Sequence, residues 1–199
     1  FFYEDSLALL RKLGAELVDF SPLEAETLPE NLQGLYLPGG YPELYAEALS
    51  QNKAMRESVR KAVVGGLPCI AECGGFMYLT EKIGGFPMAG ALKGACFDTG
   101  KLTRFGYVTL TAQKDNLLCR AGETIPAHEF HHWDAEAPGE DFLAEKPSGR
   151  SWLCVHASKT LYAGFPHFHF YANPSFAVRF LDACRKESCH AERPQAHGD

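Results

Sequence analysis

The sequence predicts an α/β fold, a mostly parallel sheet flanked by helices with additional antiparallel strands. Three observations predict it. Helical and strand-like hydrophobic patterns alternate through the first half of the chain, the order that lays crossover helices over a parallel sheet. Two short apolar strands, Leu35 to Leu37 and Leu67 to Glu72, each run into a glycine pair and then a helical pattern. From about Met88 to Phe170 the apolar runs are short and separated by polar or glycine-containing connections, as in antiparallel pairing.

Taken in order, Ser6 to Leu13 carries Leu7, Leu9, Leu10 and Leu13 at helical spacing, and Gly14 stands where a helix end favours a left-handed residue. Glu16 to Phe20 reads as a strand, and Leu35 to Leu37 as another, cut off by Pro38, Gly39 and Gly40. Pro42 to Leu49 and Lys53 to Val64 read as helices, the latter closed by Gly65 and Gly66. Leu67 to Glu72 is a buried strand that ends at Cys73-Gly74-Gly75, and Phe76 to Lys82 reads as the helix behind it. Phe105 to Leu110, Ser151 to Val155 and Thr160 to Phe165 follow as strands, and Pro174 to Arg185 as a closing helix. Residues 1–185 form one domain, and 186–199, almost without apolar content, read as a disordered tail.

Composition narrows the function classes. With 46% hydrophobic and 12% aromatic residues, 199 residues suffice for a sizeable core. Nineteen Lys and Arg against 25 Asp and Glu give a net charge of -6 and a pI near 5.8, which argues against a nucleic-acid or anionic-membrane surface. No apolar run approaches the roughly 20 residues of a membrane helix, and no signal peptide is visible. Seven cysteines, without a C-x-x-C pair or zinc-ribbon spacing, favour a reducing, cytoplasmic setting. The chain opens on Phe1 and reads as an excerpt of a longer one.

The sharpest chemical signal is PCIAECGGFMYL, Pro68 to Leu79. A buried strand turning into a helix at a nucleophile, with small residues around the tight turn, is the pattern of a nucleophile elbow. Cys73 then lies at a helix N-terminus, where the dipole lowers a thiol pKa. A buried, inert thiol is the competing reading, and it is the one taken for Cys69, Cys96, Cys119 and Cys154. LYLPGGYPE, Leu35 to Glu43, places Gly39 and Gly40 at the carboxyl end of a strand, where they could donate to an oxyanion or form a plain turn. A thiol nucleophile needs an imidazole as base and acid, and His167 or His169 of FPHFHF could serve. His128, Glu129, His131 and His132 of HEFHHWD, with His167 and His169, also raise a metal-binding alternative, though H-E-x-x-H spacing is missing. No metal ligand is assigned. Glu72 would raise the thiol pKa if aimed at it, so it is expected to point away or to be paired.

With these residues in view, the chain resembles the glutaminase half of class I (triad-type) glutamine amidotransferases, whose fold is flavodoxin-like. More narrowly, FSPLEAETLP, GLYLPGGYPEL, PCIAECGGFMYL, FGYV, AHEFHHWD and HFHFYANP are similar, in order, to the carboxyl-terminal domain of the cobyrinic acid a,c-diamide synthases. The resemblance spans about residues 1 to 180. It implies that Cys73 attacks the carboxamide of L-glutamine with His167 as base, while Gly39, Gly40 and Gly74 hold the oxyanion and the glutamine. It also implies a separate N-terminal synthetase domain of the same full-length chain, with ATP and magnesium, where ammonia amidates the a and c acetates of a corrinoid acceptor in cobalamin biosynthesis. No cofactor is expected in the present residues, which contain no G-x-x-x-x-G-K-[ST]. Cobyric acid synthases and nickel-sirohydrochlorin a,c-diamide synthases share much of the pattern, and a non-catalytic amidotransferase-like binding module is the alternative of another class. Two positions depart from the wider class: His169 stands where Glu usually orients the histidine, and Met77 stands where Gln is usual.

Overall fold

A computed structural model describes residues 2–191, with side chains through 186. Helix α1 (Glu4–Lys12) opens the described chain and is followed by β1 (Leu35–Leu37). A 3-10 turn at Pro42–Tyr45 leads into α2 (Ala46–Gln51) and α3 (Lys53–Val64). Asn52 caps α3 by accepting the Met55 N–H, and Met55, Val59 and Val63 form its buried stripe at helical spacing. Then come β2 (Cys69–Glu72) and α4 (Gly74–Leu79), the strand and helix of the expected elbow.

The remaining strands are β3 (Lys82–Ile83), β4 (Phe86–Pro87), β5 (Ala95–Asp98), β6 (Arg104–Ala112), β7 (Thr124–His131), β8 (Trp133–Ala135), β9 (Phe142–Glu145), β10 (Ser151–Cys154), β11 (His156–Ala157), β12 (Leu161–Gly164) and β13 (His167–Phe168). Helix α5 (Pro174–Ala191) follows them. They form three sheets, in the orders β1-β2-β12-β11, β10-β9-β6-β7-β13 and β4-β3-β5-β8. In the first, β1, β2 and β12 are parallel and β11 is antiparallel; the second is wholly antiparallel.

Alternation along the parallel strands splits the interior in two. Ile70 of β2 and Tyr162 of β12 face a core closed by α1, α5 and the antiparallel sheet, with Leu10, Leu110, Phe168 and Phe176. Cys69, Ala71 and Ala163 face a second core under α3 and α4, with Met55, Val59, Phe76 and Ile83. Strands covered on both faces need apolar residues at every position, which is why Cys69 to Ala71 reads as a continuous run.

Three local expectations change. Glu16 to Phe20 is not a strand: a groove lined by Val18, Phe20, Leu35 and Tyr36 separates it from β1, and an extended segment without a neighbour forms no ladder. The helical pattern at Phe76 to Lys82 stops at Leu79, because Thr80 turns its hydroxyl back onto the Met77 carbonyl and Lys82 already pairs with Pro87. Helix α5 runs to Ala191, past the expected start of the tail; 192–199 lie outside the described residues. No helix among the described residues is long and apolar enough to cross a membrane.

Candidate functional site

The site is built where β2 ends. Cys73 has φ +47° and ψ -105°, a backbone conformation rare for a residue with a side chain and costing of order 1–3 kcal/mol. Its N–H is held by the Gly164 carbonyl of β12 at 2.8 Å, and the Gly75 N–H by the Pro38 carbonyl at 3.0 Å. These bonds stitch the turn to both neighbouring strands. A Cβ on Gly74 would lie 2.7 Å from the Gly40 carbonyl oxygen and 2.8 Å from Pro42, and one on Gly75 would strike Leu37. Both positions therefore exclude any larger residue, because two strand ends and a helix start meet there.

The Gly39-Gly40 loop closes one side of this turn. A Cβ on Gly39 would overlap the His167 ring at Cε1, so the glycine lets the backbone pass directly against the imidazole. His167 lies three residues beyond Gly164, whose carbonyl holds Cys73. The structure thus brings together Cys73, Gly74, Gly39, Gly40 and His167 from three separate sequence segments.

Burial sets the protonation states. The Cys73 thiol is pushed up to about 12, first by desolvation and then by Glu43, Glu72 and Glu129, while the Gly74 N–H pulls the other way. The expected lowering by a helix N-terminus is outweighed, because α4 is only 6 residues long and the thiol is buried. His167 is pushed down to about 4 by desolvation, with His128 and His131 adding to it. At neutral pH both the thiol and the imidazole are therefore neutral.

The strand pairing sorts the other histidines. β13 pairs with β7 so that His167 lies opposite His128, and their rings stack at 4.9 Å with 15° between planes. Tyr107 of β6 is the next residue in that row, opposite His128 and 81% exposed. Tyr3 places its hydroxyl 3.1 Å from His128 Nδ1. Glu129 and His131 alternate to the buried face of β7, where Glu129 meets the Arg104 guanidinium at 3.7 Å and His131 stacks on Phe165. Burial raises the Glu129 carboxyl to about 7, with Arg104 opposing it. His169 turns to α1, its Nε2 2.8 Å from Asp5 Oδ1. HEFHHWD and HFHF therefore divide between faces, and no group of three or more potential ligands converges among the described residues.

Glu72 is paired, as its burial demands. Its Oε1 accepts the Phe168 N–H at 3.0 Å and its Oε2 the Tyr36 hydroxyl at 2.9 Å. Tyr36 was not singled out by sequence reasoning. Its signal is positional: it lies between inward Leu35 and Leu37, opposite Ile70 in register, and so shares the Glu72 side of the sheet. The six cysteines with described side chains are all free and buried, among them Cys69, Cys96, Cys119 and Cys154, as expected.

The chain is similar to several known proteins. The cobyrinate a,c-diamide synthase of Caldanaerobacter subterraneus subsp. tengcongensis is 39% identical over 192 residues, covering 92% of this chain and 42% of the relative. That of Clostridium acetobutylicum is 39% identical over 181 residues, covering 88% and 41%, and that of Fusobacterium nucleatum subsp. nucleatum 40% identical over 186 residues, covering 88% and 40%. The chain spans about two fifths of the length of these relatives. Among solved structures, a glutamine amidotransferase superposes with a TM-score of 0.63 at 21% identity, covering 92% of this chain and 93% of that one. PurLQS from Thermotoga maritima gives 0.55 at 17% identity, covering 81% and 82%. Both likenesses support the fold alone. The family model described as the CobB/CobQ-like glutamine amidotransferase domain matches residues 1–175, and this chain belongs to that family.

Proposed function

We propose that this chain is the glutaminase domain of an ATP-dependent, glutamine-hydrolysing cobyrinate a,c-diamide synthase. The observation that carries the reading is the strained elbow at Cys73, whose neighbour Gly74 packs on the Gly39-Gly40 loop while that loop packs on His167. In this mechanism the Cys73 S–H proton passes to His167 as sulfur bonds to the glutamine carboxamide carbon. Backbone N–H groups of Gly74 and the Gly39-Gly40 loop hold the resulting oxyanion, at about 3 kcal/mol per donor. The carbon–nitrogen bond then breaks, and the proton on His167 leaves with ammonia. Water, deprotonated by His167, releases glutamate from the thioester and restores the thiol. With the thiol near 12 and the imidazole near 4, proton transfer accompanies attack and no resting thiolate is needed.

Ammonia is then used by a synthetase domain, to which we assign ATP, magnesium and the corrinoid acceptor of the a and c acetate amidations. The names of the relatives, cobyrinate a,c-diamide synthases, and their greater length support that assignment. The test is covalent trapping. A glutamine-analogue electrophile such as a diazoketone is expected to label Cys73, with glutamine protecting and Cys73→Ala abolishing both label and hydrolysis. A folded protein that is neither labelled at Cys73 nor able to release glutamate would leave the non-catalytic binding module as the better reading.

A further inference from the structure

We propose that Glu72, the residue immediately before the nucleophile, is the positioning residue for His167. The inference rests on the glutaminase reading and adds the acid which that reading leaves unassigned. Glu72 Oε2 lies 4.0 Å from His167 Nδ1, and both side chains are almost wholly buried. Oε1 holds the Phe168 N–H, so the same carboxylate fixes the backbone that carries the imidazole. Glu72 is the last residue of β2 and Cys73 turns away from it at φ +47°, so the two side chains leave the strand end in different directions. Nδ1 faces the carboxylate, and the other ring nitrogen, Nε2, is assigned to the thiol.

Neither His169 nor Glu129 takes this place. His169, two residues on, is committed elsewhere: Nε2 meets Asp5 and Nδ1 accepts the Tyr171 N–H. Glu129 faces Arg104 from the opposite side of β7 to His128. Among the described residues the Glu72 carboxylate is held by two neutral donors, with the chain's amino terminus adding a weaker pull; burying it is costly, and a glutamine could make similar bonds at lower cost. The charge becomes favourable once His167 accepts the Cys73 proton. The imidazolium then donates Nδ1–H to Glu72, and no proton passes to the carboxylate. Catalytic hydrogen bonds of this kind tighten when substrate is bound, which accommodates the 4.0 Å separation here.

The role has a pH signature. Burial raises the Glu72 carboxyl to about 7, against the pull of the Phe168 N–H and Tyr36 hydroxyl. Only the ionised form stabilises the imidazolium, so glutamine hydrolysis is expected to rise with pH through this range. The groups facing Glu72 are Tyr36 on β1, Tyr3 before α1, Tyr162 on β12, Cys73, and His167 with His128 behind it. The three tyrosines and Cys73 are pushed up from their ordinary values and the two histidines down, so none of these supplies a limb near 7. Glu129, also raised to about 7 and acting on Cys73, and the chain's amino terminus, which acts on Glu72 and His167, are told apart from Glu72 by Tyr36→Phe, which removes a donor to Glu72 alone.

The test measures glutamine hydrolysis from pH 5 to 9 in wild type, Glu72→Gln, Glu72→Asp and Tyr36→Phe, with circular dichroism as the folding check. Glu72→Gln is expected to lower kcat about 100-fold or more, to leave KM within about threefold and to erase the acid limb. Glu72→Asp is expected to restore the limb in part, and Tyr36→Phe to move it upward by removing one donor to the carboxylate. A folded Glu72→Gln that keeps kcat within about threefold, or keeps the wild-type limb, overturns the proposal. If Glu72→Gln does not fold, full activity in Glu72→Asp with an unmoved limb in Tyr36→Phe overturns it instead. Wild-type protein that neither hydrolyses glutamine nor is trapped at Cys73 removes the glutaminase reading itself, an outcome distinct from failure at Glu72 alone.

Discussion

Cys73 sits at φ +47° because its N–H and the Gly75 N–H are claimed by different strands, Gly164 of β12 and Pro38 after β1. The same crowding makes Gly39 decisive, since any side chain there meets the His167 ring. Gly39→Ala is expected to lower glutamine hydrolysis by about 100-fold while thermal unfolding changes little, because a shift of about 1 Å in a catalytic group costs that much. Activity within about threefold of wild type would show that the ring has room to move. Cys73 and its glycines were legible as an elbow from residue sizes alone. The thiol's protonation was not, because a raised pKa reflects burial and distant carboxylates that no local pattern encodes.

At the scale of elements, the elbow depends on β12 and the short segment behind it. Val155, between β10 and β11, has φ +66°, strained for a β-branched residue, and its Cγ2 would lie 2.7 Å from a Cβ on Gly164. Gly164 carries the carbonyl that holds Cys73 in place. Gly164→Ala is therefore expected to destabilise by about 1–3 kcal/mol in urea unfolding and to lower activity with it. Unchanged stability would mean that Val155 gives way without displacing β12. The strands flanking the site were readable because apolar runs stop at glycine pairs. Glu16 to Phe20 has an equally strand-like composition, but pairing requires a neighbour, and a groove separates this segment from β1.

Across the whole molecule, the parallel strands separate two cores, and the antiparallel sheet turns one face inward and the other to solvent. On the outer face the row His167, His128 and Tyr107 leads from the site to the surface, with exposed Phe105 and Phe130 paired beside it. Exposed aromatics next to a buried site suit contact with another domain. If ammonia is handed to a synthetase across this face, Tyr107→Glu in the full-length protein is expected to leave glutamine hydrolysis within about twofold and to lower the amide formed per glutamine consumed. Unaltered coupling would place the contact elsewhere.

The sequence by itself determined the α/β class, the elbow around Cys73, the glycine loop and the candidate histidine, because each is written in local spacing and residue size. Only the tertiary structure decided which faces those residues share. Strand register set His167 against His128 and sent Glu129 and His131 to the other side; β1 brought Tyr36 to Glu72; and α1 drew His169 away to Asp5. The physical reason is that strand register and tertiary packing join residues far apart in sequence, 164 positions for His169 and Asp5, while hydrophobic periodicity reports only the nearest few neighbours.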